Sequence, residues 1–311
     1  MIKNFIIIGV GGYVAPRHLR AIHELGHSLV AAMDPNDSVG ILDRYFPNCQ
    51  FFTSEKNLSK FLEGFIKSGE TVDYFIICSP NYLHRKHIEL GVRFGADVIC
   101  EKPLVLDSED ITALEKLRSE SIKEIFTILQ LRLHPQIKAI QSSIQESPEQ
   151  HRSKVQLTYI TGRGPWYQES WKGDMDKSGG IVCNIGIHLF DMLLWIFGSL
   201  VNSETHILND TTASGTLTLE RADVNWYLSI DGSIVPVESD KRMYRSLVID
   251  SNTFDFTVGF ENLHTESYDK ILNQDEGYTI NDVKNSIQLV ETITKDTVTG
   301  PQPHGHKLTH K

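Results

Sequence analysis

The sequence predicts a two-domain α/β protein: a doubly wound parallel sheet first, then a domain on a large, mostly antiparallel open-faced sheet. Three observations predict it. Short apolar runs alternate with helix-like segments through the first third of the chain. A glycine cluster stands where the first apolar run gives way to the first helix. Past residue 132 the rhythm changes to longer runs in which apolar and polar residues alternate. A length of 311 residues suits two domains better than one small core.

FIIIGV (5–10) is a continuous apolar run bounded by glycine, as expected of a strand buried on both faces. A helix follows, with Leu19, Ile22 and Leu25 at helical spacing, and stops near Gly26. SLVAAMD (28–34) reads as a strand, LSKFLEGFI (58–66) as a helix and YFIICSP (74–80) as a strand. HRKHIELGVRFG (84–95) is a helix stopping at Gly95, and ADVICEKP (96–103) is a strand. SEDITALEKLRSES (108–121) is a helix capped by Ser108, and IFTILQL (125–131) is a sixth strand-like segment. The domain boundary is placed at 132/133. A helix from Pro135 to Ser147 then precedes strands at 155–161, 216–220, 225–230, 244–250 and 253–258. IGIHLFDMLLWIFG (185–198) interrupts them as a helix, a last helix covers 280–294, and PQPHGHKLTHK reads as a tail.

Composition excludes several roles. A net charge of -10 disfavours nucleic-acid and membrane-surface partners, which need a basic face. No run of about 20 apolar residues reads as a membrane span. The N-terminal run lacks a small-residue cleavage site and reads as a buried strand rather than a signal peptide. Cys49, Cys78, Cys100 and Cys183 are scattered without a CxxC pair, which fits a cytoplasmic protein without a zinc site or disulfide framework. His304, His306 and His310 lie on the tail without cysteine or carboxylate partners in view, so no metal is expected there.

Gly9, Gly11 and Gly12 mark a dinucleotide turn, where glycine lets the backbone approach a pyrophosphate at a helix N-terminus. Val14 occupies the third glycine position of the usual pattern, and Ala15 would serve if the turn is one residue longer. Asp34, at the end of the second strand, is placed to accept hydrogen bonds from the adenosine ribose and to repel a 2′-phosphate. NAD is therefore expected over NADP. The alternative for Asp34 is a turn or cap role in Asp-Pro-Asn-Asp.

Three further segments carry a resemblance: Cys-Ser-Pro-Asn-Tyr-Leu-His (78–84), Glu-Lys-Pro-Leu (101–104), and Gly179-Gly180 leading to Asn184, His188 and Asp191. On this scaffold they resemble the glucose-fructose oxidoreductase / inositol dehydrogenase / rhizopine catabolism (Gfo/Idh/MocA) family, over nearly the whole chain. Residues 11–18, 129–135, 159–167 and 177–180 look closer to its WlbA/WbpB-type UDP-N-acetylglucosaminuronic acid 3-dehydrogenases. The resemblance implies oxidation of the sugar 3-hydroxyl in surface polysaccharide biosynthesis, a homotetramer, and 2-oxoglutarate as a recycling oxidant. It implies that Tyr13, Val14, Ser79, Asn81, His84, Glu101, Lys102 and Gln130 lie along the cofactor. It also implies that Lys102, Tyr159, Asn184 and His188 meet the substrate. Many relatives carry Asp four residues before the active-site histidine; this chain carries Asn184.

Alcohol oxidation needs a proton acceptor as hydride leaves carbon. Asn184 and His188, four apart on a helix, share a face, so His188 could accept the proton and Asn184 orient the sugar. Lys102 could donate to the reacting oxygen or shuttle its proton; which of Lys102 and His188 acts first stays open. A diphosphate and a carboxylate call for guanidinium, and Arg132 and Arg163 are the candidates, with Lys172 third. Trp166, Tyr167 and Trp171 form either a base-stacking site, a subunit contact or a satellite cluster. One-sided alternation in the second sheet predicts an apolar face for oligomer contact. Two other readings remain: a dehydrogenase or reductase of a free polyol or aldose, and a non-catalytic NAD-binding regulator, for which Lys102 and His188 would be superfluous.

Overall fold

A computed structural model describes residues 1–310 apart from 149, 236–242, 255, 257 and 275; the side chain of His310 is also outside the description. The chain forms two compact units. The first comprises Met1–Val105, Glu109–Gln130 and Asn262–Val283; the second comprises Leu106–Ser108, Leu131–Glu261 and Lys284–Lys311.

The first unit alternates strand and helix: β1 (Asn4–Ile8), α1 (Ala15–Glu24), β2 (Ser28–Met33), α2 (Ile41–Tyr45), β3 (Gln50–Phe52) and α3 (Glu55–Lys67). It continues with β4 (Tyr74–Ile77), α4 (His84–Arg93), β5 (Asp97–Cys100), α5 (Ser108–Ser121) and β6 (Ile125–Thr127). All neighbouring strands are parallel, in the order β3-β2-β1-β4-β5-β6. Phe5, Ile6 and Ile7 of β1 are fully buried, as a central strand covered on both faces requires. The strand order reverses between β1 and β4, and ligands of such sheets bind beyond the strand ends at that reversal.

Several expectations change here. β3 and α2 went unread, being only three and five residues long. The sixth strand is limited to Ile125–Thr127, and Gln130–Leu133 is a 3-10 turn. Ser108 does not cap α5 from outside; it is the first helical residue, and its hydroxyl bonds Glu291. Residues 262–283, assigned by sequence to the second domain, belong to the first unit. Their helix packs on α1 through His264 and Tyr268 against His18, and Tyr278 accepts a bond from the Thr127 amide on the free edge of β6.

The second unit opens with α6 (Pro135–Glu146), β7 (Ser153–Thr161), α7 (Trp166–Glu169), α8 (Met175–Ser178) and α9 (Ile187–Phe197). It then forms β8 (Leu200–Leu208), β9 (Thr212–Leu219), β10 (Ala222–Ser229), β11 (Met243–Ile249) and β12 (Asn252–Phe254). The remaining helices are α10 (Leu263–Asp269), in the returning segment of the first unit, and α11 (Ile280–Lys295). Sheet order is β12-β11-β7-β10-β9-β8, antiparallel except for the parallel pair β7–β10. β8 was not predicted from sequence, and part of the predicted strand 253–258 falls outside the described residues.

α9 lies on one face of this sheet, where Phe190 meets Trp226 edge to face at 5.2 Å. The run Met175–Phe197 is long and apolar enough to cross a membrane by length and composition, contrary to the sequence reading, but 72% of its apolar window is buried in the fold. The opposite face carries Gln156, Thr158, Asn225 and Tyr227, so the expected apolar face is polar here. The C-terminal segment lies on it rather than trailing free: His306 bonds Thr158 at 2.9 Å and stacks on Tyr227.

Candidate cofactor and substrate sites

Gly9 follows β1 at the strand-order reversal. Its φ is +85°, and a Cβ there would stand 2.5 Å from the Cys78 carbonyl carbon, so glycine is required by backbone and by space. The Gly12 amide bonds the Gly9 carbonyl at 3.0 Å, closing the turn before α1. Val14 stands at the α1 N-cap and packs into the core, so the third glycine position is filled by an apolar contact. Tyr13 is exposed, with the Arg17 guanidinium 5.6 Å from its ring centre.

Asp34 is buried and braces this turn. Oδ2 accepts the Gly11 amide at 2.9 Å, and Oδ1 accepts the Asn36 amide at 2.9 Å. The second bond is the turn role weighed above. A carboxylate has about four lone-pair sites, so acceptor capacity for a ribose remains.

Segment 79–84 is braced by hydrogen bonds of its own. His84 is buried with Nδ1 2.7 Å from the Pro103 carbonyl and Nε2 2.8 Å from the Ser79 carbonyl. Both ring nitrogens serve the backbone, so His84 braces the loop instead of offering a polar atom to a cofactor. The Ser79 hydroxyl and His87 Nδ1 share a hydrogen bond at 2.8 Å, and burial pushes His87 down to about 4, so its ring is neutral. Asn81 is buried at the start of the turn before α4.

Glu101 follows β5 inside a closed network that the sequence did not reveal. His18 Nε2 lies 2.9 Å and His264 Nε2 3.1 Å from Oε1. His18 Nδ1 lies 2.8 Å from the Tyr268 hydroxyl. Burial pushes the Glu101 carboxyl upward, but the histidine hydrogen bonds outweigh it and hold it well below the usual range. Burial lowers His18 and raises Tyr268. A neutral His18 therefore donates from Nε2 to Glu101 and accepts at Nδ1 from Tyr268. His18 lay inside the segment 11–18 that carried the resemblance; His264 and Tyr268 had no sequence signal, being far along the chain. Lys102 follows, half-buried, with a cis bond to Pro103.

Does this unit fit a dinucleotide? The turn that a Cβ would fill at Gly9 answers for the phosphates. Gln130 Oε1 is buried and accepts no hydrogen bond among the described residues, leaving an acceptor to be satisfied by a ligand or water. The residues fit.

In the second unit, Arg132 is buried and its guanidinium grips Asp191 at two points, 2.9 Å from Nε and 2.7 Å from Nη2. The structure thus assigns Arg132 to an internal ion pair, against the expectation that it meets substrate phosphates. Asp191, the last residue of the 179–191 motif, had been read only as part of the pattern. Arg163 is exposed two residues past the end of β7. Lys172 lies 4.2 Å over the Trp171 ring; burial and then the Arg163 charge lower its pKa, which places two cations in one neighbourhood. Tyr159 lies under the Arg245 guanidinium at 5.0 Å, an arginine that sequence reasoning missed.

Asn184 donates to the Tyr167 hydroxyl at 2.7 Å, fixing both side chains. Residues Val182–Gly186 form a π-helical turn ahead of α9, so Asn184 and His188 are not related by simple α-helical spacing. Such wide turns inside helices recur at functional sites. His188 is half-buried on the first turn of α9. In the aromatic loop, Tyr167 is buried while Trp166 is 54% exposed, so the loop divides between packing and surface.

Known proteins align with this architecture. Residues 3–127 match the model of the Gfo/Idh/MocA oxidoreductase family with its NAD-binding Rossmann fold, and residues 151–235 match that family's C-terminal α/β domain. The crystal structure of the WlbA (WbpB) dehydrogenase from Thermus thermophilus with NAD and alpha-ketoglutarate superposes with a TM-score of 0.94, at 42% identity over 98% of this chain and 99% of that one. The same enzyme with NAD and UDP-GlcNAcA gives 0.93 at 41% identity over the same shares. Inositol 2-dehydrogenase of Rhizobium meliloti is 29% identical over 133 residues, which is 43% of this chain and only 39% of that protein. The chain belongs to the Gfo/Idh/MocA family of oxidoreductases, with an NAD-binding Rossmann unit followed by that family's C-terminal α/β domain.

Proposed function

We propose that this protein oxidises the 3-hydroxyl of UDP-N-acetylglucosaminuronic acid to the 3-keto sugar, with NAD as the hydride acceptor. One observation carries the reading: near-complete likeness, at 41% identity, to a dehydrogenase solved with NAD and UDP-GlcNAcA. The glycine turn, Asp34 and the unsatisfied Gln130 acceptor supply features a bound dinucleotide uses. Asp34 favours NAD over a 2′-phosphorylated cofactor by charge.

Bound NAD supplies the hydride acceptor. The chain's own residues supply the proton chemistry and the grip. His188 takes the hydroxyl proton, since imidazole is suited to general-base work near neutral pH. Lys102 donates a hydrogen bond to the reacting oxygen. Glu101, held anionic by His18 and His264, positions the Lys102 backbone, whose amide lies 3.3 Å from Glu101 Oε2. Arg163 and Lys172 neutralise the diphosphate or the carboxylate, and Asn184, anchored by Tyr167, orients the sugar.

With this reading go three further proposals: 2-oxoglutarate as the oxidant that restores the cofactor, a homotetramer, and a place in surface polysaccharide assembly. The first is supported by the relative solved with NAD and alpha-ketoglutarate. Light scattering at micromolar concentration checks the second; a monomer would contradict it.

The deciding experiment is calorimetric titration of UDP-N-acetylglucosaminuronic acid, UDP-N-acetylglucosamine and the free sugar acid into NAD-loaded protein. Tight binding of the first alone is expected. Equal binding of all three, or none, overturns the substrate. Lys102→Ala and His188→Ala are each expected to lose roughly 10²-fold or more in kcat; near-normal turnover in either removes its role.

A further inference from the structure

Two clusters in the described residues bring histidines and a carboxylate together, His18–Glu101–His264 and Glu204–His206–His304. The first is a closed hydrogen-bond network: its contacts are 2.9 and 3.1 Å, and Tyr268 takes the other His18 nitrogen. The second has one hydrogen bond of the same kind, between His304 and Glu204, and differs in its longer His206 contact and in openness. Glu204 and His206 alternate along β8, and His304 arrives from the C-terminal segment. Their three donor atoms lie within 4.8 Å of one another.

We propose that Glu204, His206 and His304 form a site for a divalent transition-metal ion of the zinc class. His304 Nε2 stands 3.1 Å and His206 Nε2 stands 3.6 Å from the same oxygen, Glu204 Oε2. Bonds of about 2.0–2.1 Å in a tetrahedron place neighbouring donors about 3.3 Å apart, and the two distances straddle that edge. The 3.6 Å contact is longer than a hydrogen bond between those two atoms allows, but it suits two ligands facing one ion. Two imidazoles and one carboxylate match zinc, copper, nickel and cobalt rather than magnesium or calcium.

The surroundings are built to hold these donors. Glu204 Oε1 accepts from Thr299 Oγ1 at 3.1 Å, which leaves Oε2 to the histidines. Asn225 Nδ2 donates to the His304 carbonyl at 3.0 Å and fixes the segment that carries the ring. Gly305 permits the close approach: a Cβ there would lie 2.7 Å from His206 Nδ1. His206 is fully buried, whereas the His304 side chain is 60% exposed, so an ion can enter and a water can complete its shell. The expectation that the tail histidines lack a carboxylate partner is thereby overturned for His304. The ion would pin the C-terminal segment to β8, a structural role independent of the proposed dehydrogenase reaction.

The test uses chelator-treated full-length protein titrated with ZnCl2 by calorimetry, and with CoCl2 by visible absorption. One ion per chain is expected, with the intense absorption of tetrahedral cobalt and a rise in Tm on zinc addition. His304→Ala and Glu204→Gln should each weaken zinc binding by roughly 10²-fold or more and abolish the Tm rise, while Thr299→Val should cost about 10–100-fold. Circular dichroism of the metal-free variants checks that they remain folded. Absence of stoichiometric binding overturns the proposal. So does unchanged affinity in His304→Ala and Glu204→Gln, because the ion would then lie on others of the 13 histidines.

Discussion

The parallel sheet of the first unit and the mixed sheet of the second place their chemistry by different means. In the first, the short strands other than β3 are mostly buried and the functional turns sit at their ends, so the chemistry is written in short contiguous stretches: Gly9–Gly12 after β1, Asp34 after β2, Glu101–Lys102 after β5. In the second, several strands of seven to nine residues carry one apolar and one polar face, and polar residues find partners far off in sequence. Arg132 finds Asp191, Asn184 finds Tyr167, and Glu204 finds His304. Outside the His18–Glu101–His264 network, a residue's type and neighbours therefore say more about its role in the first unit than in the second.

The largest test of this contrast is Arg132→Ala. It leaves Asp191 buried without its guanidinium, and denaturant unfolding should show a loss of about 3–5 kcal/mol. A double replacement by apolar residues should recover much of it; a small effect of the single variant would return Arg132 to the list of substrate cations. Gly9→Ala comes next. The positive φ and the 2.5 Å approach to Cys78 should cost about 1–3 kcal/mol and abolish NAD binding in the same protein. Retained NAD affinity would mean that the turn yields and that local backbone demand is a weaker guide than argued.

A smaller effect is expected from His87→Gln. Burial holds folded His87 at about 4, below the ordinary 6.5, so the unfolded chain binds the extra proton first. Stability is full above pH 6.5 and falls as pH drops toward 4, with a slope of at most ~1.4 kcal/mol per pH unit from this group. The variant should flatten that slope; an unchanged acid limb would assign it to other groups. Smallest is Arg85→Ala, which removes an exposed pair with Asp110 and should change stability by less than about 1 kcal/mol. A loss comparable to that of Arg132→Ala would erase the distinction between buried and surface arginines.

Periodicity made the doubly wound sheet legible because strands covered on both faces read as unbroken apolar runs, as in β1 and β4. It missed β3 and β8: the first is three residues long, and the second, LVNSETHIL, carries no regular alternation. The glycine turn and Asp34 were legible because their demands are local. The bracing role of His84 was not legible, because both its nitrogens go to carbonyls that only the folded loop supplies.

The sequence by itself determined the succession of elements, the dinucleotide turn and the family pattern, since each follows from residues within one strand, turn or helix. Tertiary structure alone decided the return of residues 262–283 to the first unit, the buried carboxylate between His18 and His264, the pairing of Arg132 with Asp191 and the seat of His304 on β8. The physical reason is separation along the chain. A buried charge is stable only beside a partner, and when that partner lies tens to hundreds of residues away, folding and not local pattern supplies it.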